Sequence, residues 1–241
     1  MKYHGFKIAF LILLLINVST YAQYAGHTFG FSFNYNLTTS SKLFLYPNAE
    51  DPILRDQFVP IDNITSISAE LRVGITSDLV IGLSAEYMNA VNNDSRFVVG
   101  GPTGSILVAI QDGFEVFPVE LSAYYIMPFS TESFYFYIGG GLGLYYGNHI
   151  RKFGDANVTT IHQNLGYGIH VRTGMDYLVT DFFSIRGELK FRDPQFDMQS
   201  KYSKTEVIIN GRLYELTNNV FESKVNINGI TFGLGIVIHF L

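Results

Sequence analysis

The chain has 241 residues, carries a formal net charge of −5 at pH 7 and contains no cysteine. An acidic chain is a poor candidate for nucleic-acid binding, which needs clustered lysine and arginine. Without cysteine there is no disulfide framework, no thiolate metal site and no lipoprotein attachment. We therefore expect no nucleic-acid partner, and no pattern in the chain indicates a cofactor.

The N-terminus has the pattern of a secretory signal peptide over residues 1–22. Lys2 and Lys7 precede an apolar run over residues 8–16, and Ala22 supplies a small residue before the predicted cleavage. The run is too short for a spanning helix, and no other stretch approaches about 20 consecutive apolar residues. We expect an exported protein with one domain over residues 23–241. Removal of the signal takes away two lysines and no acid, which leaves a charge of −7.

Beyond the signal, apolar and polar residues alternate along almost the whole chain. A period of two predicts β-strands with one apolar and one polar face. On the second run, Ile61 and Ile67 are predicted to share the apolar face. The eight predicted strands have their apolar faces within residues 27–35, 61–75, 79–87, 117–127, 134–146, 165–177, 183–191 and 230–240.

The clearest of these patterns lies in residues 165–192. Two alternating runs flank a tight polar turn at residues 179–181, and charged residues such as Arg172 and Glu188 share the polar face with glycines. In a soluble sheet the apolar face would form the core. Behind an export signal, the pattern favours the reverse arrangement, with apolar residues facing lipid and charges facing a lumen.

The spacing of the turns supports this arrangement. Short turns lie near residues 78, 130 and 180, whereas the opposite ends of the strands carry long connections. Such asymmetry is typical of outer-membrane barrels, with short periplasmic turns and long extracellular loops. An even strand count permits closure, and lipid offers no partner to an open edge. We predict an all-β fold: an eight-stranded antiparallel up-and-down transmembrane β-barrel with long extracellular hairpins.

The long connections themselves contain strand patterns. Asn210 and Gly211 form a strong hairpin-turn dipeptide. A glycine-rich break at residues 100–104 lies midway between two short turns, with β-rich segments on both sides. Because only about 9–11 residues span the bilayer, these strands are predicted to continue into the medium as rigid protruding hairpins.

The polar face is predicted to place a belt of charges in the lumen, five to nine residues from the nearest short turn. An eight-stranded barrel is only just wide enough for side chains to fill it, and buried charges persist only when paired. We favour a structural salt-bridge network over a gated polar path or a proton-sensitive constriction. Its predicted members are Glu70, Arg72, Glu86, Glu120, His170, Arg172, Arg186, Glu188 and Lys190.

No catalytic or metal-binding constellation is indicated. A lipid-modifying barrel needs serine and histidine together at the lipid-facing surface or the barrel mouth, and no histidine has an outward serine neighbour on its strand. The acids of the first long loop could bind a divalent cation, but a solvated loop is the preferred interpretation. Beyond the predicted signal peptide, the histidines are His27, His149, His162, His170 and His239. The acids of the first long loop are Glu50, Asp51, Asp56 and Asp62.

Four stretches resemble the small eight-stranded outer-membrane barrels of the OmpA transmembrane-domain and OmpX type: GITSDLVIGLSAEY (74–87), FYIGGGLGLYYG (136–147), GMDYLVTDFFSIRGELKFR (174–192) and the terminal GITFGLGIVIHFL. The resemblance implies an outer-membrane location with extracellular loops and surrounding outer-membrane lipid. It also implies that the barrel-assembly machinery recognises the last strand through a terminal aromatic. Here Phe240 is penultimate, which departs from that pattern by one place.

Architecture alone leaves several functions open, since one fold hosts many activities. The leading hypothesis is a non-enzymatic protein with a plugged lumen that acts in adhesion, in partner binding by strand addition, or in envelope integrity. The alternative is a narrow porin or transporter for small or apolar solutes, and a lipid-modifying enzyme comes third. A soluble sandwich would require a polar outer face.

Overall fold

The computed structural model describes residues 27–101, 104–209, 211–216 and 219–241, so the predicted signal peptide lies outside the described residues. The described residues form thirteen strands and one short helix: β1 Phe29–Phe44, α1 Pro52–Arg55, β2 Phe58–Gly74, β3 Leu79–Gly101, β4 Gly104–Ile126, β5 Phe134–Phe153, β6 Ala156–Gln163, β7 Gly166–Thr180, β8 Phe183–Arg192, β9 Gln195–Tyr202, β10 Glu206–Ile209, β11 Arg212–Glu215, β12 Val220–Asn226 and β13 Ile230–Phe240. None of the helical structure in these ranges has the length and apolar character that crossing a membrane requires.

Eight of the strands close into an antiparallel ring, which we call the membrane ring. Each strand pairs with the next in the order β1, β2, β3, β4, β5, β7, β8 and β13, and β13 pairs again with β1. The predicted all-β, up-and-down transmembrane barrel is therefore confirmed, with eight strands in the ring itself.

The number of strands is larger than predicted, with thirteen instead of eight in the described residues, because the strands are interrupted above the membrane ring. Pro194, which has no amide hydrogen to donate to a ladder, separates β8 from β9. Above the ring β6 pairs with β9, β9 with β12 and β12 with the end of β1. We call this second tier the upper barrel. The β10–β11 hairpin forms a separate two-stranded sheet.

The predicted short turns are confirmed, as is the strand pairing on both sides of the two predicted hairpin turns. Short connections join β2 to β3, β4 to β5 and β7 to β8 at one end of the ring. Gly211 has a φ of +76° between β10 and β11, where Ile209 pairs with Arg212, as a two-residue hairpin turn requires. Asn210 lies outside the described residues.

Within the membrane ring, the faces are inverted relative to a soluble protein. Outward side chains such as Phe33 and Leu142 are exposed, by 50% and 68%, whereas inward Glu70 and Arg72 are buried. An apolar outer surface around a polar interior is the arrangement of a lipid-embedded barrel. The soluble sandwich, with a polar outer face, does not fit this surface.

The alternation shifts by one residue where β2 enters the upper barrel. Asp62 and Asn63 are both exposed between the buried side chains of Ile61 and Ile64. Asn63 has a φ of +54°, a left-handed conformation that is uncommon outside glycine. The prediction that Ile61 shares the outward face of Ile67 was wrong, because this local twist turns Ile61 to the interior.

Candidate functional site

The inward face of the membrane ring brings the nine predicted lumen residues into one layer, which we call the charge layer. Eight of them are buried to 5% exposure or less, and the side chain of Glu188 is 13% exposed. Strand alternation alone places them there, because each occupies the inward position of its strand. The residues come from β2, β3, β4, β7 and β8.

Glu70 forms the centre of the part of the charge layer nearest the short turns. Its carboxylate accepts hydrogen bonds from Arg72 Nε at 2.8 Å, from Arg186 Nη1 at 2.9 Å and from the Tyr124 hydroxyl at 2.5 Å. Arg172 Nη1 lies 3.5 Å from the same carboxylate. A buried carboxylate that is paired this many times is compensated for the loss of water.

The Arg72 guanidinium is also held by aromatic rings. Its Cζ lies 3.9 Å from the Tyr124 ring centroid and 4.3 Å from that of Tyr137. The Tyr137 hydroxyl donates to Glu188 at 2.9 Å, and Glu188 accepts from Arg72 at 3.0 Å. Cation–π contacts and charge-assisted hydrogen bonds thus fix the same arginine from several sides.

Glu86 and Glu120 anchor the half of the charge layer nearest the upper barrel. Lys190 Nζ lies 2.6 Å from Glu86 and 3.2 Å from Glu120. Arg192 bridges the same two carboxylates, at 2.8 Å and 3.3 Å. Arg172 donates to Glu120, which also accepts from the Tyr145 hydroxyl at 2.6 Å.

Sequence reasoning missed two charged members of this layer. Arg192, fully buried, is the partner of Glu86 just described, and Asp176 receives two hydrogen bonds from Arg186 at 2.7 Å and 2.9 Å. Both residues have the inward parity of their strands, so the alternation was sufficient to find them. With them, five acids face five bases, and the layer is balanced in formal charge.

Three inward tyrosines were also missed as partners: Tyr124, Tyr137 and Tyr145. A tyrosine ring fits either face of a barrel strand, and its hydroxyl requires a hydrogen-bond partner when buried. Each of the three hydroxyls donates to a glutamate of the charge layer. The tyrosines therefore complete the network without adding charge.

The remaining predicted residues have local roles. His170 Nε2 lies 2.7 Å from the Ser122 hydroxyl, and His239 Nε2 lies 2.7 Å from that of Ser184. Both histidines are buried. Phe240 lies on the outer surface and stacks on Phe29, with ring centroids 5.7 Å apart, where β13 closes on β1.

Above the charge layer, the interior is apolar and then polar again. A cluster of buried side chains fills the upper barrel next to the charge layer: Leu43, Ile61, Ile64, Met88, Ala90, Phe114, Val116, Tyr145, Phe196, Met198, Val225 and Ile227. A second apolar cluster joins Val207 and Ile209 of β10 to Val108, Ile110, Phe153, Ala156 and Tyr202. We call these the inner and outer apolar layers.

A group of four buried polar residues, the polar node, joins β4, β5 and β12 in the upper barrel. His149 Nε2 lies 2.6 Å from Asp112 Oδ1, and Arg151 Nη2 donates to Asp112 Oδ2 at 2.5 Å. The Ser223 hydroxyl lies 3.0 Å from His149 Nδ1. Burial, together with the Arg151 charge, lowers the pKa of His149. Although burial opposes it, the hydrogen bond from His149 and the Arg151 charge lower the pKa of Asp112.

The order Ser223, His149, Asp112 has the connectivity of a hydrolase relay. A nucleophile must, however, be accessible to its substrate. Ser223 and Asp112 both have no exposed surface. The pairing joins residues 74 positions apart in sequence, which alternation along one strand cannot reveal. In this environment the node satisfies buried polar groups between the two apolar layers.

Within the described ranges, no group of three or more His, Cys, Asp or Glu side chains converges as metal ligands would. In the first long loop, Asp51 instead caps helix α1, where its Oδ1 accepts from the Ile53 amide at 2.8 Å. Its neighbours Glu50 and Asp56 are exposed, as are Asp62 on β2 and His162 on β6. His27 bonds the Asp181 carbonyl at 2.7 Å beside the short turns.

No known protein-family model and no curated protein sequence matches the chain. Among solved structures, the outer membrane protein OprG from Pseudomonas aeruginosa is similar, with a TM-score of 0.60 and 14% identity over 90% of this chain and 99% of OprG. Neisserial surface protein A matches with a TM-score of 0.47 and 14% identity over 88% of this chain and 97% of its own. The attachment invasion locus protein Ail of Yersinia pestis matches with a TM-score of 0.43 and 14% identity over 89% of this chain and 99% of Ail. Together with the inverted membrane ring, the likeness to OprG shows that the chain has the fold of the small bacterial outer-membrane β-barrels, the class of the OmpA and OmpX types.

Proposed function

We propose that this protein is a non-enzymatic outer-membrane surface protein that binds an extracellular protein or surface ligand by strand addition to the ribbon formed by β3 and β4. The observation that carries the proposal is the contrast between a filled interior and a protruding two-stranded edge. The proposal places the long hairpins outside the cell, because short turns at one end and long strands at the other are typical of periplasmic and extracellular ends.

The ribbon comprises residues 95–101 of β3 and 104–110 of β4, which pair with each other. Pairing of β3 with β2 ends at Met88, and pairing of β4 with β5 ends at Gln111. In the described ladders, the outer edges of the ribbon therefore carry no further strand. Such an edge presents backbone donors and acceptors to an incoming extended segment.

The filled interior supports a surface role over transport. Paired charges occupy the membrane ring, and two apolar layers with the polar node between them occupy the upper barrel. A narrow porin or transporter for small or apolar solutes, the alternative function, needs a continuous path through these layers. A lipid-modifying activity needs an exposed serine beside a histidine, whereas Ser122, Ser184 and Ser223 are all buried. The rigid interior also suits a contribution to envelope integrity.

The proposal includes the lipid and assembly partners of the barrel. The exposed apolar side chains of the membrane ring provide the surface for outer-membrane lipid. Phe240 presents an exposed aromatic ring at the end of β13, and we assign it the recognition by the barrel-assembly machinery despite its penultimate position.

The test uses a phage-displayed library of linear peptides, selected against the refolded protein. A matched variant replaces residues 98–107, beyond the Phe97–Val108 pair, with an Asn-Gly turn. It keeps the membrane ring and leaves Val108 and Ile110 in the outer apolar layer. We expect selected peptides with alternating apolar residues that bind the full chain at least tenfold more tightly than the variant. Methylation of alternate backbone nitrogens of a selected peptide should abolish binding, because strand addition uses those donors.

Two results would overturn the proposal. Peptides that bind the variant with the shortened ribbon equally well would place the binding surface elsewhere. Binding that survives backbone methylation in both alternating registers would exclude strand addition as its mode.

A further inference from the structure

An apolar groove crosses the outer surface of the membrane ring from β3 to β7. The groove is open on its outer side and has a volume of about 630 Å³, which lies within the range of about 300–1,000 Å³ that is typical of small-molecule pockets. Its lining includes residues of β3, β4, β5 and β7. All of the lining side chains are apolar except for the Tyr167 hydroxyl.

Strand register explains the groove. One wall is a row of neighbouring side chains: Leu83 pairs with Leu121, Leu121 with Leu142, and Leu142 with Ile169. Since adjacent strands lie about 4.8 Å apart, this row extends for roughly 14 Å across the barrel surface.

The second wall lies two residues further along each strand. Val119 pairs with Leu144, and Leu144 pairs with Tyr167. Between the walls, Gly143 and Gly168 are register partners and line the groove. Both positions face the interior of the barrel, where a Cβ at Gly143 would meet Tyr145 and one at Gly168 would meet Pro194. The floor between the walls is therefore backbone, whose polar groups are used in the β5–β7 ladder.

The groove runs obliquely across the membrane ring. Leu83 lies four residues from the start of β3, near the short turns, whereas Ile169 lies eleven residues from the end of β7. Tyr167, 75% exposed, occupies the upper end. An amphipathic tyrosine ring belongs at the polar boundary of the bilayer, so the upper end faces headgroups and the lower end faces the hydrocarbon core.

We propose that this groove holds one acyl chain of an outer-leaflet lipid as a fixed ligand, with its headgroup beside Tyr167 and its tail directed towards Leu83. The groove offers no free hydrogen-bonding group to a peptide, and its walls lie in the lipid-facing belt. A chain in the groove contacts protein atoms on three sides, which adds dispersion contacts that a chain on a convex surface lacks. The leaflet assignment rests on the orientation in the proposed function.

The test compares two tryptophan variants in bilayers of palmitoyl-oleoyl phosphatidylcholine. Leu142→Trp fills the groove, whereas Leu234→Trp adds the same bulk at an exposed position of β13 that does not line it. Both changes leave the lumen intact. After extraction into mild detergent, native mass spectrometry counts the phospholipid molecules retained per barrel.

We expect the wild-type protein and Leu234→Trp to retain one phospholipid, and Leu142→Trp to retain at least tenfold less. Equal retention by all three proteins, or no retention by the wild type, would overturn the proposal. The number of retained lipids depends neither on the orientation of the barrel nor on the ribbon. A failure of the lipid-groove proposal is therefore distinguished from a failure of strand addition, which is tested by peptide binding.

Discussion

The membrane ring and the upper barrel differ in which residues face the interior, although they share several strands. In the membrane ring, the outer face is apolar and the interior contains Glu70, Arg186 and their partners. In the upper barrel, the interior contains Phe114, Met198 and Val225, and the exposed positions of β6 and β9 include the polar residues Thr159 and Lys201. The solvent outside each tier accounts for the difference, since lipid takes up apolar side chains and water takes up polar ones.

The comparison also shows how one strand serves both tiers. In β2, the left-handed backbone at Asn63 shifts the alternation, so that Ile61 and Ile64 both point inward. In β4 and β5 the alternation continues unchanged, and the residue type changes instead, from Glu120 in the ring to Phe114 above it. At the boundary between the two tiers, β2 therefore changes its backbone conformation, whereas β4 and β5 change only the type of residue that faces inward.

The first prediction tests the charge layer. Arg172→Ala removes one of the partners of Glu120 and one contact of Glu188. Breaking a buried pair costs roughly 3–5 kcal/mol because a buried charge loses its compensation. We expect a loss of this size in urea unfolding from lipid vesicles, and an unchanged unfolding midpoint would contradict the structural role of the network.

The second prediction tests the inner apolar layer. Met198→Ala, at a side chain that is 2% exposed, should cost roughly 2–5 kcal/mol through lost burial and a residual cavity. The loss should appear as faster hydrogen exchange in β9 and β12, while the strands of the membrane ring keep their protection. Equal loss of protection in both tiers would show that they unfold as one unit.

The third prediction concerns acidification of the upper barrel. Burial lowers the pKa of His149 below the value of about 6.5 of an unperturbed histidine. In that range the unfolded chain binds more protons than the folded one, so stability is complete above about pH 6.5 and falls as the pH drops towards the folded pKa. The groups that face His149 are Asp112, Arg151 and Ser223.

His149→Asn removes this titration while Asp112 keeps its Arg151 partner. Because the intrinsic rate of amide exchange itself falls as the pH drops, the quantity to compare is the protection factor, the ratio of the intrinsic to the observed rate at each pH. Protection factors in β9 should fall between pH 7 and pH 5 in the wild type, and by less in the variant. Identical pH profiles of the two proteins would exclude His149 as the titrating group.

The smallest effect is expected at the outer surface of the upper barrel. Lys224 and Asp197 form an ion pair at 3.7 Å with side-chain exposures of 32% and 50%. Exposed pairs contribute only about 0.2–1 kcal/mol, so Asp197→Asn should change stability far less than Arg172→Ala. A loss as large as that of Arg172→Ala would remove the distinction between buried and exposed pairs on which the comparison depends.

The sequence predicts the membrane ring well because a period of two is a local property of each strand. The same property predicts the inward position of the nine charge-layer residues named from the sequence. It also predicts the inward position of Arg192 and Asp176, which the sequence analysis did not include. By contrast, the polar node depends on register between strands that are far apart in sequence, such as Ser223 with His149. The shift at Asn63 depends on one backbone angle that the residue type does not dictate.

The most direct test of the filled lumen is the ion conductance of the refolded protein in a planar lipid bilayer. If paired charges and apolar layers close the interior, protein verified as folded should show no channel openings. Stable and reproducible openings would contradict the filled lumen and would make the charge layer a selectivity element instead of a structural one.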